Sequence, residues 1–493
     1  MLNYLKSQQI LRWYLLLLPT LWSILFLANF LWNINPQAGN YFALFIWGLQ
    51  AIMMLLMMLA SGYFFTKMLI EDKKIITQQE KANTKHLIIL PCYKEPIEVI
   101  NQSLTYLLNQ TINTKNNVIL IVSFEEKSPQ LEESRQFLLE TYQEQFYFFN
   151  ICVHPENITK EIPGKCSNER FAVKYALSIL DKKNCEFTVN NTLITVMDSD
   201  TLLHRRYLEY IANDFERQGQ TRGFNIIWQA ALFYNWNLNH SSFFTRITAL
   251  FRSIWMIGFN IPFQVHSMSV YSSSLKLCID NDFFDPTYQM EDMHYFVSSM
   301  NTRMGKVKLH PIYLPVICGP TSGENWQEEL SEWHRQAKRW SIGAFEIFHY
   351  ICTKAPNMGL MITARLALTL TLLYGLFQSI IFFATLIAIP VLHHYQQTAD
   401  AQLWYIFGMI PWLFIIWVFC IDRLFVHFFN LEKEKVGLFR NILHIFLTPF
   451  VLLSYNLVSF FSLHILAIRG KSVCKHDPSE KSNLAKFKQN SPK

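Results

Sequence analysis

Residues 192–203 read Thr-Leu-Ile-Thr-Val-Met-Asp-Ser-Asp-Thr-Leu-Leu, a β-branched run that stops at Asp198-Ser199-Asp200. A short apolar run of this kind, closed by a turn, predicts a buried strand. Working upstream, similar runs occupy His86–Leu90, Asn117–Phe124 and Tyr147–Val153. Helical stretches fall between them at Ile97–Leu108, Pro129–Phe146 and Asn168–Leu180. Strands alternating with helices predict an α/β domain with a mostly parallel sheet covered by helices. Such sheets bind ligands at the carboxyl ends of their strands, where Asp198, Asp200 and Tyr93-Lys94-Glu95 all stand.

This pattern occupies only part of the chain. Of 493 residues, 51% are hydrophobic, 15% aromatic and 16% charged, too apolar for an ordinary soluble enzyme. The net charge of +6 is small, and no basic run dominates the middle, which argues against a nucleic-acid partner. Phosphate-bearing substrates and anionic lipid head groups fit that charge better. None of the nine cysteines forms a C-x-x-C pair, so they read as buried thiols of a reducing compartment.

Outside the α/β stretch the chain is membrane-like. Trp13–Trp32 and Tyr41–Phe65 are each long enough to cross a bilayer. Lys6, Arg12, Lys67, Lys73 and Lys74 place the N-terminus and the central region on the cytosolic side. Apolar runs return at Leu366–Leu392, Leu403–Ile421 and Asn441–Ile468, the last interrupted by Pro449. Five crossings would put the basic tail outside, against the charge rule, so the last stretch reads either as a crossing or as re-entrant. The expected organisation is therefore two membrane helices in 1–73, a cytosolic domain in 74–358, membrane helices in 359–468 and a basic tail in 469–493. Ser242–Phe263 carries apolar residues at helical spacing with Arg246 and Arg252 on its surface, which fits either an interfacial helix or a core helix.

Three clusters in the central region carry chemistry. Asp198 and Asp200, one residue apart in a turn, suit Mg²⁺ or Mn²⁺ and, through the ion, a diphosphate. A turn of Asp residues capping the next helix is the plainer alternative. Glu291-Asp292 opens a helical stretch, where an acid is often only a cap; Asp292 also suits a general base. Gln336-Ala337-Lys338-Arg339-Trp340 sets Gln336, Arg339 and Trp340 on one helix face. There Arg339 can neutralise a leaving diphosphate, and Trp340 can stack on a sugar or anchor the domain in lipid.

Together these clusters resemble membrane-embedded family 2 glycosyltransferases, the group of cellulose, chitin and hyaluronan synthases. Pro91-Cys92-Tyr93-Lys94-Glu95-Pro96 is similar to the family's P-x-Y-N-E element, and Gly164-Lys165-Cys166-Ser167-Asn168 to its G-K-x-x-N element. Asp198-Ser199-Asp200 matches D-x-D, Glu291-Asp292 matches T-E-D with Met290 in place of Thr, and Gln336 to Trp340 matches Q-x-x-R-W. Where the family has an Asp that contacts uracil, this chain has Glu125-Glu126.

The resemblance implies a Rossmann-like GT-A domain. Pro91, Tyr93, Glu95, Glu125, Lys165, Asn168 and Asp198 would bind the nucleotide-diphosphate sugar, a UDP-sugar by preference. Asp198 and Asp200 would hold the metal, and Asp292, Gln336, Arg339 and Trp340 would be catalytic. The implied reaction is inverting transfer of a sugar to a growing β-linked polysaccharide at a plasma or bacterial inner membrane, in contact with its lipids. Single-sugar transfer to a lipid is the alternative. A transporter or scaffold is the remote one, because three apolar spans lack the ionisable residues of a transport path.

Overall fold

The computed structural model describes residues 36–74, 83–156, 158, 161–180, 186–354, 358–370, 401–431 and 435–469. The expected span Trp13–Trp32, most of Leu366–Leu392 and the basic tail lie outside the described residues.

Helix α1 (Pro36–Asp72) enters the α/β domain, which begins with β1 (Lys85–Cys92), α2 (Ile97–Leu108), the single turn α3 (Thr114–Asn117) and β2 (Val118–Glu125). α4 (Leu131–Tyr142), β3 (Phe148–His154), α5 (Lys165–Leu180) and β4 (Thr192–Val196) complete the first half. β5 (Thr201–Leu203), α6 (Tyr207–Gly223), β6 (Ile226–Phe233) and α7 (Phe243–Trp255) follow, then β7 (Tyr271–Ser274), α8 (Leu275–Asp280) and α9 (Glu291–Thr302). β8 (Lys308–Cys318) closes the sheet, and α10 (Trp326–Lys354), α11 (Leu360–Leu370), α12 (Ala401–Phe428) and α13 (Leu438–Arg469) return to apolar sequence.

The eight strands form one sheet in the order β3-β2-β1-β4-β7-β6-β8-β5. β3, β2, β1 and β4 are all parallel, as the alternating pattern predicts. The other half is mixed: β7 runs antiparallel to both β4 and β6, β6 and β8 are parallel, and β5 is antiparallel to β8. Every residue of β1 is buried, because helices cover both faces. The strand alternation sends Ile88 and Leu90 to one apolar core, and Leu87 and Ile89 to the other.

The first core does not stop at the domain. It continues through Met57, Phe64 and Met68 of α1 and Phe414, Val418 and Phe425 of α12. The α/β domain and the apolar helices are thus packed as one body. Among the described residues, three helical segments are long and apolar enough to cross a membrane: Trp47–Asp72, Tyr405–Phe428 and Leu438–Arg469. The last is a continuous helix despite Pro449.

α7 corrects one expectation. Arg246 is not on a surface: it is 1% exposed, at the junction with α12 and α13. Its guanidinium binds Asp422 at 3.0 Å and Asn441 at 2.7 Å, with His444 Nδ1 at 3.1 Å. α7 is therefore a core helix of the junction, and the polar cluster satisfies a charge that would otherwise be costly to bury. Beyond it, a π-turn at Met256–Asn260 brings Gly258 against α1. A Cβ at Gly258 would stand 2.8 Å from the Met57 carbonyl oxygen, so only glycine allows this approach. Among the described residues Cys92, Cys152, Cys166, Cys278 and Cys318 are buried free thiols, while Cys420 on α12 is exposed.

Candidate active site

The carboxyl ends of β1, β2 and β4 open into a cavity of about 290 Å³. Pro91, Tyr93, Glu95, Glu125, Lys165, Asn168, Asp198, Asp200, Gln336, Arg339 and Trp340 all line it. The fold thus gathers all but one of the candidate residues. Asp292 lines a second cavity, of about 540 Å³, which runs between α1, α7, α12 and α13. Lys165, Asp198, Arg252, Ser269, Arg339 and Trp340 belong to both cavities and mark where they meet.

On the first side, β1 ends in a turn where Glu95 accepts the Tyr93 backbone N–H at 2.7 Å. β2 ends at Glu125, whose Oε2 lies 3.0 Å from His154 Nδ1, while His154 Nε2 lies 3.2 Å from Glu161. Burial alone would lower the His154 pKa, but the two carboxylates outweigh it and raise the value above 6.5. Asn168 is turned inward: its amide binds the Ser123 hydroxyl and carbonyl, tying α5 to β2.

Lys165 opens α5 and sits among acids. Its Nζ is 2.7 Å from Asp198, 2.5 Å from Glu291 and 3.5 Å from Glu169. Burial acts to lower its pKa, yet Asp198, Glu291 and Glu169 together hold it well above the usual lysine range. Glu291 shows the converse: burial pushes it up to about 7 against the pull of Lys165. Sequence reasoning left Glu291 as the neighbour of Asp292, because its contact with Lys165 joins α9 to α5.

Asp198 and Asp200 flank the turn from β4 to β5, and both face the first cavity. Two hard oxygen donors beside a space able to admit phosphate oxygens fit Mg²⁺ or Mn²⁺, ions that retain water and substrate ligands. Among the described residues no group of three or more His, Cys, Asp or Glu gathers as a metal cage. The protein's share of such a site would therefore be these two acids.

Asp292 is 5% exposed and firmly held. Its Oδ2 accepts the Ser269 N–H at 2.8 Å and its Oδ1 the Met293 N–H at 2.7 Å. Ser269 adopts a left-handed backbone conformation, φ 41°, uncommon for a residue with a Cβ and a sign of local strain. Gln229 on β6 supports that loop, binding the Met268 N–H and the Met268 and Val270 carbonyls. Neither Ser269 nor Gln229 carried a sequence signal, since a lone Ser and a strand Gln are ordinary.

On α10, Gln336 accepts a hydrogen bond from Thr321. Arg339 lines both cavities and forms no ion pair among the described residues; burial lowers its pKa, with Glu291, Asp198 and Asp292 acting the other way. The Trp340 ring lies under the Arg252 guanidinium, 3.7 Å from its centroid, and Arg252 also covers Tyr234 at 4.2 Å. Trp340 in turn lines both cavities.

Residues 193–421 match the family model described as glycosyl transferase family group 2. The match begins in β4 and spans Asp198, Asp200, Asp292 and the Gln336–Trp340 group. That stretch of the chain is thus similar to family 2 glycosyltransferases. A search of curated proteins finds no match. Among solved structures, the chain is similar to a mannosyltransferase from Pyrobaculum calidifontis in complex with GDP-Man and Mn²⁺, at 13% identity, TM-score 0.42, covering 75% of this chain and 96% of that one. It is also similar to residues 1–349 of TarS from S. aureus in complex with UDP, at 13% identity, TM-score 0.34, covering 78% and 92%.

Proposed function

We propose that the chain is an inverting, membrane-embedded glycosyltransferase. It would move a sugar from a nucleotide-diphosphate donor in the first cavity to an acceptor in the second. The observation that carries this reading is the meeting of the two cavities at Lys165, Asp198, Arg339 and Trp340, with Asp292 on the acceptor side. A donor needs polar groups at strand ends; an acceptor that extends along a membrane needs a path between apolar helices.

In this mechanism the acceptor hydroxyl lies against Asp292, whose carboxylate takes its proton as the oxygen attacks the anomeric carbon. The bond from that carbon to the diphosphate breaks, and its electron pair leaves with the diphosphate. Attack from the face opposite the leaving group inverts the centre. Arg339 and Lys165 hold the departing charge in a water-poor site, where fixed cations act most strongly. Asp198 and Asp200 would hold Mg²⁺ or Mn²⁺, which supplies further neutralisation of the diphosphate when bound. Glu125, fixed by His154, would meet the nucleobase of a UDP-sugar, and Tyr93 and Glu95 would border it.

The acceptor is read first as a growing β-linked polysaccharide. Trp47, Phe251, Trp255, Trp340, Trp412 and Tyr455 line the second cavity and offer successive faces for sugar rings. Single-sugar transfer to a lipid is the second reading, favoured by Met53, Met54, Met57, Leu452 and Leu453 in the same wall. A bacterial inner or plasma membrane, with the α/β domain in the cytosol, fits both. Membranes containing the chain, given a panel of UDP- and GDP-sugars with Mn²⁺, should release nucleotide with one of them. A ladder of product masses supports the polymer; one discrete glycolipid replaces it with the lipid reading.

A further inference from the structure

Helix α10 has a second attachment beyond Trp340. Gly343 packs on Met290, the residue before the Glu291-Asp292 pair: a Cβ there would stand 2.0 Å from Met290 Cγ. Three residues on, along the same helix face, Glu346 Oε2 accepts the Gln289 backbone N–H at 2.7 Å. One turn further, His349 Nδ1 lies 3.3 Å from the Tyr288 hydroxyl, and Tyr288 lies flat on His294 with ring centres 4.1 Å apart. Glu346, His349 and His294 are 2%, 2% and 3% exposed.

This grip falls where α9 needs one. The N-cap of α9 is Met290, which makes no side-chain capping bond, so its own side chain does not fix where the first turn begins. A displaced start would move Asp292 with it. A buried acid also costs free energy, and a hydrophobic side chain would fill the position beside Gly343 more simply.

We propose that Glu346, seated over Gly343, is a positioning residue for Asp292. One rigid helix then carries the leaving-group cation Arg339 and also sets the place of the base, so the two halves of the reaction stay in register. This rests on the reading of Asp292 as base.

The test uses the full chain in detergent, the sugar nucleotide that wild type turns over, and UDP or GDP as binding probe. Glu346→Ala should lower kcat about tenfold to a hundredfold, the scale of a misplaced catalytic group, with donor KM and diphosphate binding unchanged. Glu346→Gln keeps an acceptor for the Gln289 N–H and should restore most of kcat. Gly343→Ala should push Met290 and lower kcat alone; it decides the matter if Glu346→Ala does not fold. Rates are expressed per nucleotide-binding molecule, so a merely structural defect cancels. Wild-type kcat in Glu346→Ala or Gly343→Ala, or an equal loss in Glu346→Gln, overturns the proposal. Wild type that turns over no donor overturns the functional reading beneath it.

Discussion

Asp292 and His154 show how single side chains are set by what surrounds them. Two backbone N–H groups fix the Asp292 carboxylate, one of them from the left-handed Ser269. Asp292→Asn keeps the size and should lower transfer by about 10²–10⁴-fold while nucleotide binding stays; near-normal transfer would reduce Asp292 to a structural acid. His154 gives a pH prediction. Its folded pKa lies above the ordinary 6.5, raised by Glu125 and Glu161 against the opposing effect of burial. A raised imidazole pKa stabilises the fold fully below 6.5, and the contribution is lost as pH climbs through the folded value. Thermal unfolding of wild type should therefore weaken across that window, whereas His154→Gln should respond less. Parallel pH profiles for the two proteins would reject the clasp. The sequence exposed Asp292 through its motif but hid His154 and Ser269, because their roles come from partners on other elements.

Among the elements, the strands were the most readable. β1, β2 and β4 are continuous apolar runs because both faces are covered, and their predicted limits lie within two residues of those found. β7, by contrast, reads Tyr-Ser-Ser-Ser and has no apolar pattern, although all four residues are buried. Its serine hydroxyls find partners on other elements, Ser272 with Thr195 of β4 at 2.7 Å, Ser273 with the Tyr295 hydroxyl of α9 at 2.7 Å and Ser274 accepting the Leu277 N–H of α8 at 3.1 Å, which no local pattern reveals. In α7 the core-helix reading stands but Arg246 was placed on the surface, because helical spacing finds the apolar face and not the partner of a buried cation. Arg246→Met should strand Asp422 without its counter-ion and cost about 3–5 kcal/mol of stability. Adding Asp422→Leu should recover much of that loss, measured by thermal unfolding in detergent. A double variant no more stable than the single one would show that the pair is not coupled.

At the scale of the whole molecule, the α/β domain and the apolar helices share a core, and the two cavities meet across that junction. The residues that the sequence motifs named converge on the first cavity, with Asp292 alone in the second, because most of those motifs end a strand or open a helix and the topology brings them together. The second cavity was not legible, because its wall comes from α1, α7, α12 and α13 and no one of them carries a motif. Transfer between those cavities is the central claim. The direct test follows nucleotide release and sugar incorporation together, in wild type and Asp292→Asn, with the panel of UDP- and GDP-sugars and Mn²⁺. The account predicts that one donor gives release matched mole for mole by incorporated sugar, and that Asp292→Asn binds this donor but transfers almost none. Release from no donor, or transfer by Asp292→Asn at the wild-type rate, would contradict it.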